Sequence, residues 1–439
     1  MQKAILVFAV VLLTGTTVSA QEKLTINQAV KIALQNSYDI QLVENNVAIA
    51  KNNNSLGVAG ALPTISATTT DNKTLTTIEQ KYADPSRNTT KSGVEGNALS
   101  AGLNASVIVF NGFRIMAAKD RLAMLEKQNG YLLQSQMQNT SAQVMQQYYN
   151  VVRQQAYLKT IEKSIEASQQ RLDIVKTKQK VGVANQTDYL QSNLDLNALV
   201  QAKQNQLLII AQAKNDLIRT LNYQDAPKDI NVEDSIQIDA GLIFSGTKNS
   251  IQEGINNNPQ LAALNTQIKI NQQLEKEAKA LMYPTLRAST GYSFSSNNST
   301  AGFSLLNENY GPFVGATLSI PIYAGSSAKK NAANAHISTK IADIQAKSTS
   351  KDVMTNATKT FDAYKNSVEQ LPVETENYAM SQALLDLVMQ KYQLGQATMV
   401  DVKQAQQSFE NAGFRLVSLK YTAKVAEIEL KRIANQLQF

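Results

Sequence analysis

Residue types that usually do chemistry are scarce in this chain. It contains no cysteine and a single histidine, His336. Thiol catalysis, disulfides and thiolate metal sites are removed together. A lone histidine in an Ala/Asn-rich helical stretch is expected to be a solvated helix residue, because a metal site needs several converging donors. The carboxylates are scattered, and none pairs with another as an acid–base couple. A Gly-x4-Gly-Lys-Ser/Thr phosphate loop is absent, so nucleotide binding is not expected. The reading is of a chain with no catalytic residues, no cofactor and no metal.

Two Gly-x5-Asp segments stand out instead. Val181-Gly182-Val183-Ala184-Asn185-Gln186-Thr187-Asp188 returns 213 residues later as Leu394-Gly395-Gln396-Ala397-Thr398-Met399-Val400-Asp401. Gly182 and Gly395 suit left-handed turns that end a helix. Asp188 and Asp401 suit the first turn of the next helix, where capping and the helix dipole favour a carboxylate. Lys176, Lys178 and Lys180 precede the first turn and are expected to form a solvated face.

These segments belong to a larger duplication. Phe110-Asn111-Gly112 becomes Tyr323-Ala324-Gly325 at the same offset, and Ser37 through Pro63 matches Asn258 through Pro284 at an offset of 221. That period is too long for a solenoid, so a domain-sized unit is repeated. The expected divisions are a signal peptide at 1–20, a first repeat at 21–230, a linker at 231–246 and a second repeat at 247–439. Lys3, the apolar run Ala4 to Leu13 and Val18-Ser19-Ala20 supply the charged, hydrophobic and cleavage regions of an export signal.

Each repeat reads as helix, strand, strand, very long helix, turn, helix. The first helix is expected from about Thr25 to Gly60. From Ile115, Ala118, Leu122, Leu125 and Leu132 continue one heptad-spaced face, and no proline interrupts Gly112 to Lys180. A helix of that length would run roughly 100 Å, which implies a coiled coil or a tube wall. Leu196, Val200, Leu207, Ile210, Leu217 and Leu221 keep spacings of four and three, the pattern of left-handed supercoiling. The second repeat places equivalent helices at Gly325 to Leu394 and Gln396 to Gln436, with a local kink expected where Pro372 interrupts the long helix.

Strands are expected at about 64–74, 98–110, 285–296 and 313–323. Leu99, Ala101, Leu103, Ala105, Val107 and Val109 alternate with small polar residues, as membrane-spanning β-strands do. Phe110, Phe113, Phe313 and Tyr323 are the expected interfacial aromatics. Four strands cannot close a barrel, and lipid tolerates no open edge. Three chains would supply twelve strands and twelve helical segments.

In this order of elements the chain resembles the TolC-like outer membrane efflux channel family. The resemblance covers essentially the whole mature chain. It rests on Leu62-Pro63 and Met282-Tyr283-Pro284 before the strand pairs and on the two Gly-x5-Asp turns. It implies a mainly α fold with a small β part: a homotrimer whose long helices form a periplasmic α-barrel beneath a 12-stranded outer membrane β-barrel. It also implies a passive exit duct for small molecules, fed by a periplasmic adaptor and an inner membrane pump of the RND or ABC type. Asp188, Tyr392 and Asp401 match the family's constriction, and Gly182, Val183, Gly395 and Gln396 its adaptor-docking tips. Ala397 stands where the best-known member has a gating Arg, and Gln404 where it has a second Asp.

Two alternatives remain at this point: a type I protein secretion duct, and an exported coiled-coil structural or adhesive protein. Nucleic acid is not an expected partner, although the formal charge is +7 and falls to +6 once Lys3 is removed. The Lys and Arg residues are dispersed along helices rather than clustered with aromatics.

Overall fold

The computed structural model describes residues 24–223, 230–232, 235–239, 254–301 and 305–437. The expected signal peptide and most of the expected linker lie outside them. In chain order the elements are α1 (Ile26–Asn36), α2 (Tyr38–Asn53), β1 (Thr64–Gln80), β2 (Thr89–Phe110), α3 (Arg114–Lys180) and α4 (Gln186–Leu221). They are followed by α5 (Pro259–Ala280), β3 (Thr285–Ser299), β4 (Leu306–Ser319), α6 (Ser327–Gln393) and α7 (Met399–Ile433). Both α3 and α6 contain 67 residues.

The chain divides into two compact units. One comprises Met1–Leu42, Gln134–Pro259 and Lys351–Phe439, and the other Val43–Leu133 and Gln260–Ser350. In the first, a core joins Ala29, Val30 and Ala33 of α1 to Val144, Tyr148 and Val151 of α3 and Leu217 and Leu221 of α4. Full burial of each large aliphatic here is worth roughly 1.5–3 kcal/mol. Thr25 starts α1 with a reciprocal capping box to Gln28. The Tyr148 hydroxyl donates to the Leu24 carbonyl at 2.9 Å.

The second unit carries one antiparallel sheet in the order β1-β2-β3-β4. The outer edges of β1 and β4 have no strand beside them among the described residues. Flanking helices are tied by polar side chains, including Arg121 Nε to Glu277 at 2.5 Å and Gln128 Nε2 to Gln267 at 2.8 Å. His336 is half-exposed, and its Nδ1 lies 3.2 Å from Glu275.

Several expectations need correction. The single helix from Thr25 to Gly60 is two helices, because Ser37 leaves the helical conformation and its Oγ accepts from the Ile40 amide at 3.4 Å. The strand pairs extend well beyond the expected 74, 98 and 296, so most of the stretch between the first two expected strands is itself strand. β4 begins at Leu306 and stops at Ser319, so Ile320 to Tyr323 lie outside it. Pro372 lies inside α6, which runs without a break from Ser327 to Gln393.

Candidate functional site

The turns at Gly182 and Gly395 are built alike. Each glycine is left-handed, with φ of 78° and 80°. The Gly182 amide donates to the Gln179 carbonyl at 3.0 Å and the Val183 amide to Lys178 at 2.8 Å. At the second turn, the Gly395 amide donates to Tyr392 at 3.1 Å and the Gln396 amide to Lys391 at 2.8 Å. This paired 5→2 and 6→1 pattern is the Schellman motif, which satisfies the last carbonyls of a helix. Around these turns Val181, Val183, Leu394 and Val400 are exposed.

The helices that leave the turns are capped by different means. Asn185 Oδ1 accepts from the Asp188 amide at 2.8 Å. Thr398 Oγ1 accepts from the Asp401 amide at 3.2 Å, and Asp401 Oδ2 accepts in return from the Thr398 amide and hydroxyl, each at 2.8 Å. Those two bonds, the backbone amide first, hold the Asp401 carboxyl below the ordinary aspartate range. Asp401 therefore serves as a helix cap.

Tyr392 lies between the two hairpins, buried with Val175, Met389 and Val402. Ala184, Tyr189, Ala397 and Met399 pack around this cluster. Burial pushes the Tyr392 phenol up, the charge of Asp188 adds to the rise, and Arg171 opposes it. The structure thus brings Asp188 and Tyr392 into one electrostatic neighbourhood, while Asp401 engages its own cap.

Sequence reasoning missed the charged residues that join the hairpins. Lys178 belongs to no purely solvated face: its Nζ donates to the Tyr392 carbonyl at 2.7 Å and lies 4.4 Å from the centre of the Tyr392 ring. Arg171 is almost fully buried, and its Nη2 pairs with Asp195 at 2.8 Å. Lys403 of α7 reaches the same carboxylate at 3.1 Å, and Gln191 donates to it at 2.9 Å. Asp195 therefore bonds α3, α4 and α7 together. One signal was available: Arg171 and Asp195 stand equally far from Val183, which lies in the turn between their helices.

The sheet offers a second functional surface. Its register places Ala105–Thr290–Val314, Leu103–Tyr292–Pro312 and Ala101–Phe294–Tyr310 in rows on one face. The opposite face carries Ser106–Ser289–Gly315, Asn104–Gly291–Phe313 and Gly102–Ser293–Gly311. One face is thus rich in large apolar groups, and the other is small and polar. The aromatics of the apolar face are Phe110, which pairs with Leu286, and Tyr292, Phe294 and Tyr310. Phe313, expected among them, points to the other side because pairing opposite Gly291 fixes its parity.

Among the described residues, no helix is long and apolar enough to cross a membrane. No group of three or more His, Asp or Glu residues is placed there to hold a metal.

A family model described as "Outer membrane efflux protein" matches residues 29–222 and 250–436. The chain belongs to the outer membrane efflux protein family. Outer membrane protein TolC of Escherichia coli (strain K12) is 24% identical over 362 residues, covering 77% of this chain and 70% of that one. The CmeC outer membrane channel of Campylobacter jejuni superposes with a TM-score of 0.74 at 15% identity, over 94% of this chain and 87% of that chain. The outer membrane protein VceC of Vibrio cholerae gives 0.74 at 15% identity, over 93% and 96%. This protein is accordingly an outer membrane efflux channel with the TolC-like fold, and not an enzyme.

Proposed function

We propose that this efflux protein is the passive exit duct of a tripartite system, carrying small molecules from a periplasmic adaptor and an inner membrane pump to the exterior. The supporting observation is the four-stranded sheet with one apolar face and, among the described residues, no strand beside the outer edges of β1 and β4. In lipid an unpaired edge leaves main-chain donors and acceptors without partners, at several kcal/mol per group. Three copies joined β4 to β1 remove every edge and give twelve strands. The apolar face then meets lipid. From Leu286 to Phe294 it extends for roughly 27 Å of strand, enough for the hydrocarbon band once tilted.

The two repeats, 21–230 and 247–439, supply equivalent hairpins in this reading. Gly182, Val183, Gly395 and Gln396 form the tips that dock on the adaptor, and their exposed apolar neighbours favour a hydrophobic contact. Asp188 and Asp401 line the periplasmic constriction, and the buried Tyr392 ties the hairpins together there. Opening is a shift of the α6–α7 hairpin against α3 and α4, between two packings of the same helices. Asp401 would add three carboxylates in a trimer and bias that end toward cations; unchanged selectivity in Asp401→Ala channels would remove this role.

Assembly is tested by extracting the membrane-inserted chain in detergent and weighing it before and after heating. The reading requires a particle of three chains that collapses to one on boiling. A monomer released by osmotic shock would favour an exported structural protein instead.

A further inference from the structure

The polar face of the sheet is nearly featureless, and its two exceptions point to what passes along it. Phe313 is the only aromatic residue on this face among the described strands; the rows from Thr64 to Thr76 carry no formal charge on it, and Arg287 stands in the next row, between Ile108 and Thr317. Gly291 stands directly opposite Phe313. A Cβ on Gly291 would meet two Phe313 ring carbons at 3.0 Å, so the ring lies over the glycine against the sheet. Even so, Phe313 keeps 40% of its surface exposed. Arg287 is also exposed, with Nη1 donating to Ser106 Oγ at 3.3 Å. Arg287 and Gly291 stand four positions apart on β3, about 13 Å along the strand.

We infer that this face is a two-point contact for aromatic anions. The inference rests on the duct reading, in which the polar face lines the lumen of the assembled barrel. Arg287 takes the anionic group by charge-assisted hydrogen bonds, and Phe313 offers a ring to the flat apolar part of the solute. The surrounding Ser, Thr, Asn and Gly residues supply weak, interchangeable contacts that let solute move on. Each chain contributes one guanidinium and one ring, so an assembled barrel presents three of each. Solutes with an aryl group and a negative charge are held longest.

The test uses the full-length channel in planar bilayers, with current block by naphthalenesulfonate compared with block by methanesulfonate. The wild type prefers the aryl sulfonate. Phe313→Ala and the volume-keeping Phe313→Leu lower that preference roughly 3- to 10-fold, the scale of one aromatic pair. Arg287→Gln weakens block by both sulfonates and leaves their ratio intact. Val314→Ala, on the opposite face, changes neither. Conducting Phe313→Leu channels with an unchanged ratio, or Val314→Ala channels with an equal loss, would overturn the inference. Absence of channels even from the wild type would defeat the duct reading itself.

Discussion

Lys178 Nζ sits 2.7 Å from the Tyr392 carbonyl oxygen and 4.4 Å from the centre of its ring. That carbonyl also accepts from Gly395 within the second turn. The cation thus neutralises the negative end of the neighbouring helix at the point where the Schellman motif closes it. Replacing Lys178 by Met keeps the length of the stem and removes the charge. Loss of the partly exposed contact is worth about 1 kcal/mol. Amide exchange across residues 388–398 should quicken several-fold in Lys178→Met while the sheet is unaffected. Equal exchange in both proteins would show that the contact does not hold the tip.

The Arg171–Asp195 pair makes a sharper prediction because the guanidinium is only 1% exposed. Asp195→Asn strands a buried positive charge, at a cost of about 3–5 kcal/mol. The double variant Arg171→Leu/Asp195→Leu removes both charges and should lie closer to wild type. Thermal unfolding followed by helical circular dichroism ranks the three proteins. If Asp195→Asn melts no lower than the double variant, the buried charge is compensated elsewhere.

A defined pH dependence follows from the Asp401 cap. Its folded carboxyl titrates below the ordinary value of 3.8, so the stabilisation is fully present above that pH and is lost as pH falls through the folded value. Asp401→Asn should therefore melt below wild type at neutral pH, and the gap should close well under pH 3.8. A gap that closes nearer neutrality would point to a different titrating group.

Gly291 is a position where any side chain is excluded. A Cβ there would lie 2.1 Å from the Leu103 carbonyl oxygen, a main-chain atom held by the β2–β3 pairing. Gly291→Ala should open that pairing and abolish the heat-modifiable trimer on gels. Gly315→Ala, whose Cβ would meet only Ser289 Oγ at 3.5 Å, should assemble normally. Normal assembly of Gly291→Ala would mean that the strands can part there without loss.

Much of the fold was legible because the repeat fixes the element order twice and strand alternation survives wherever one face is apolar. Past Thr69–Ala101–Phe294–Tyr310 the apolar face turns polar, with Asp71 opposite Leu99 and Ser296 opposite Glu308. Alternation fades there, so the far halves of β1 and β2 read as loop. Ile320 and Ile322 alternate convincingly, but Pro321 lacks an amide hydrogen and β3 begins at Thr285, already paired with Ser319. The turns at Gly182 and Gly395 were visible from residue type alone. The Arg171–Asp195–Lys403 cluster was not, because it depends on how three helices meet.

The claim that the tips meet an adaptor is tested most directly with a single cysteine at Val183, in a chain that has none of its own. Val183→Cys is expressed in living cells, treated with a thiol-to-amine crosslinker, and the captured partners are identified by mass spectrometry. The account predicts capture of a periplasmic adaptor that itself co-purifies with an inner membrane pump. Capture of nothing but further copies of the channel, from cells in which the trimer is correctly inserted, would contradict it.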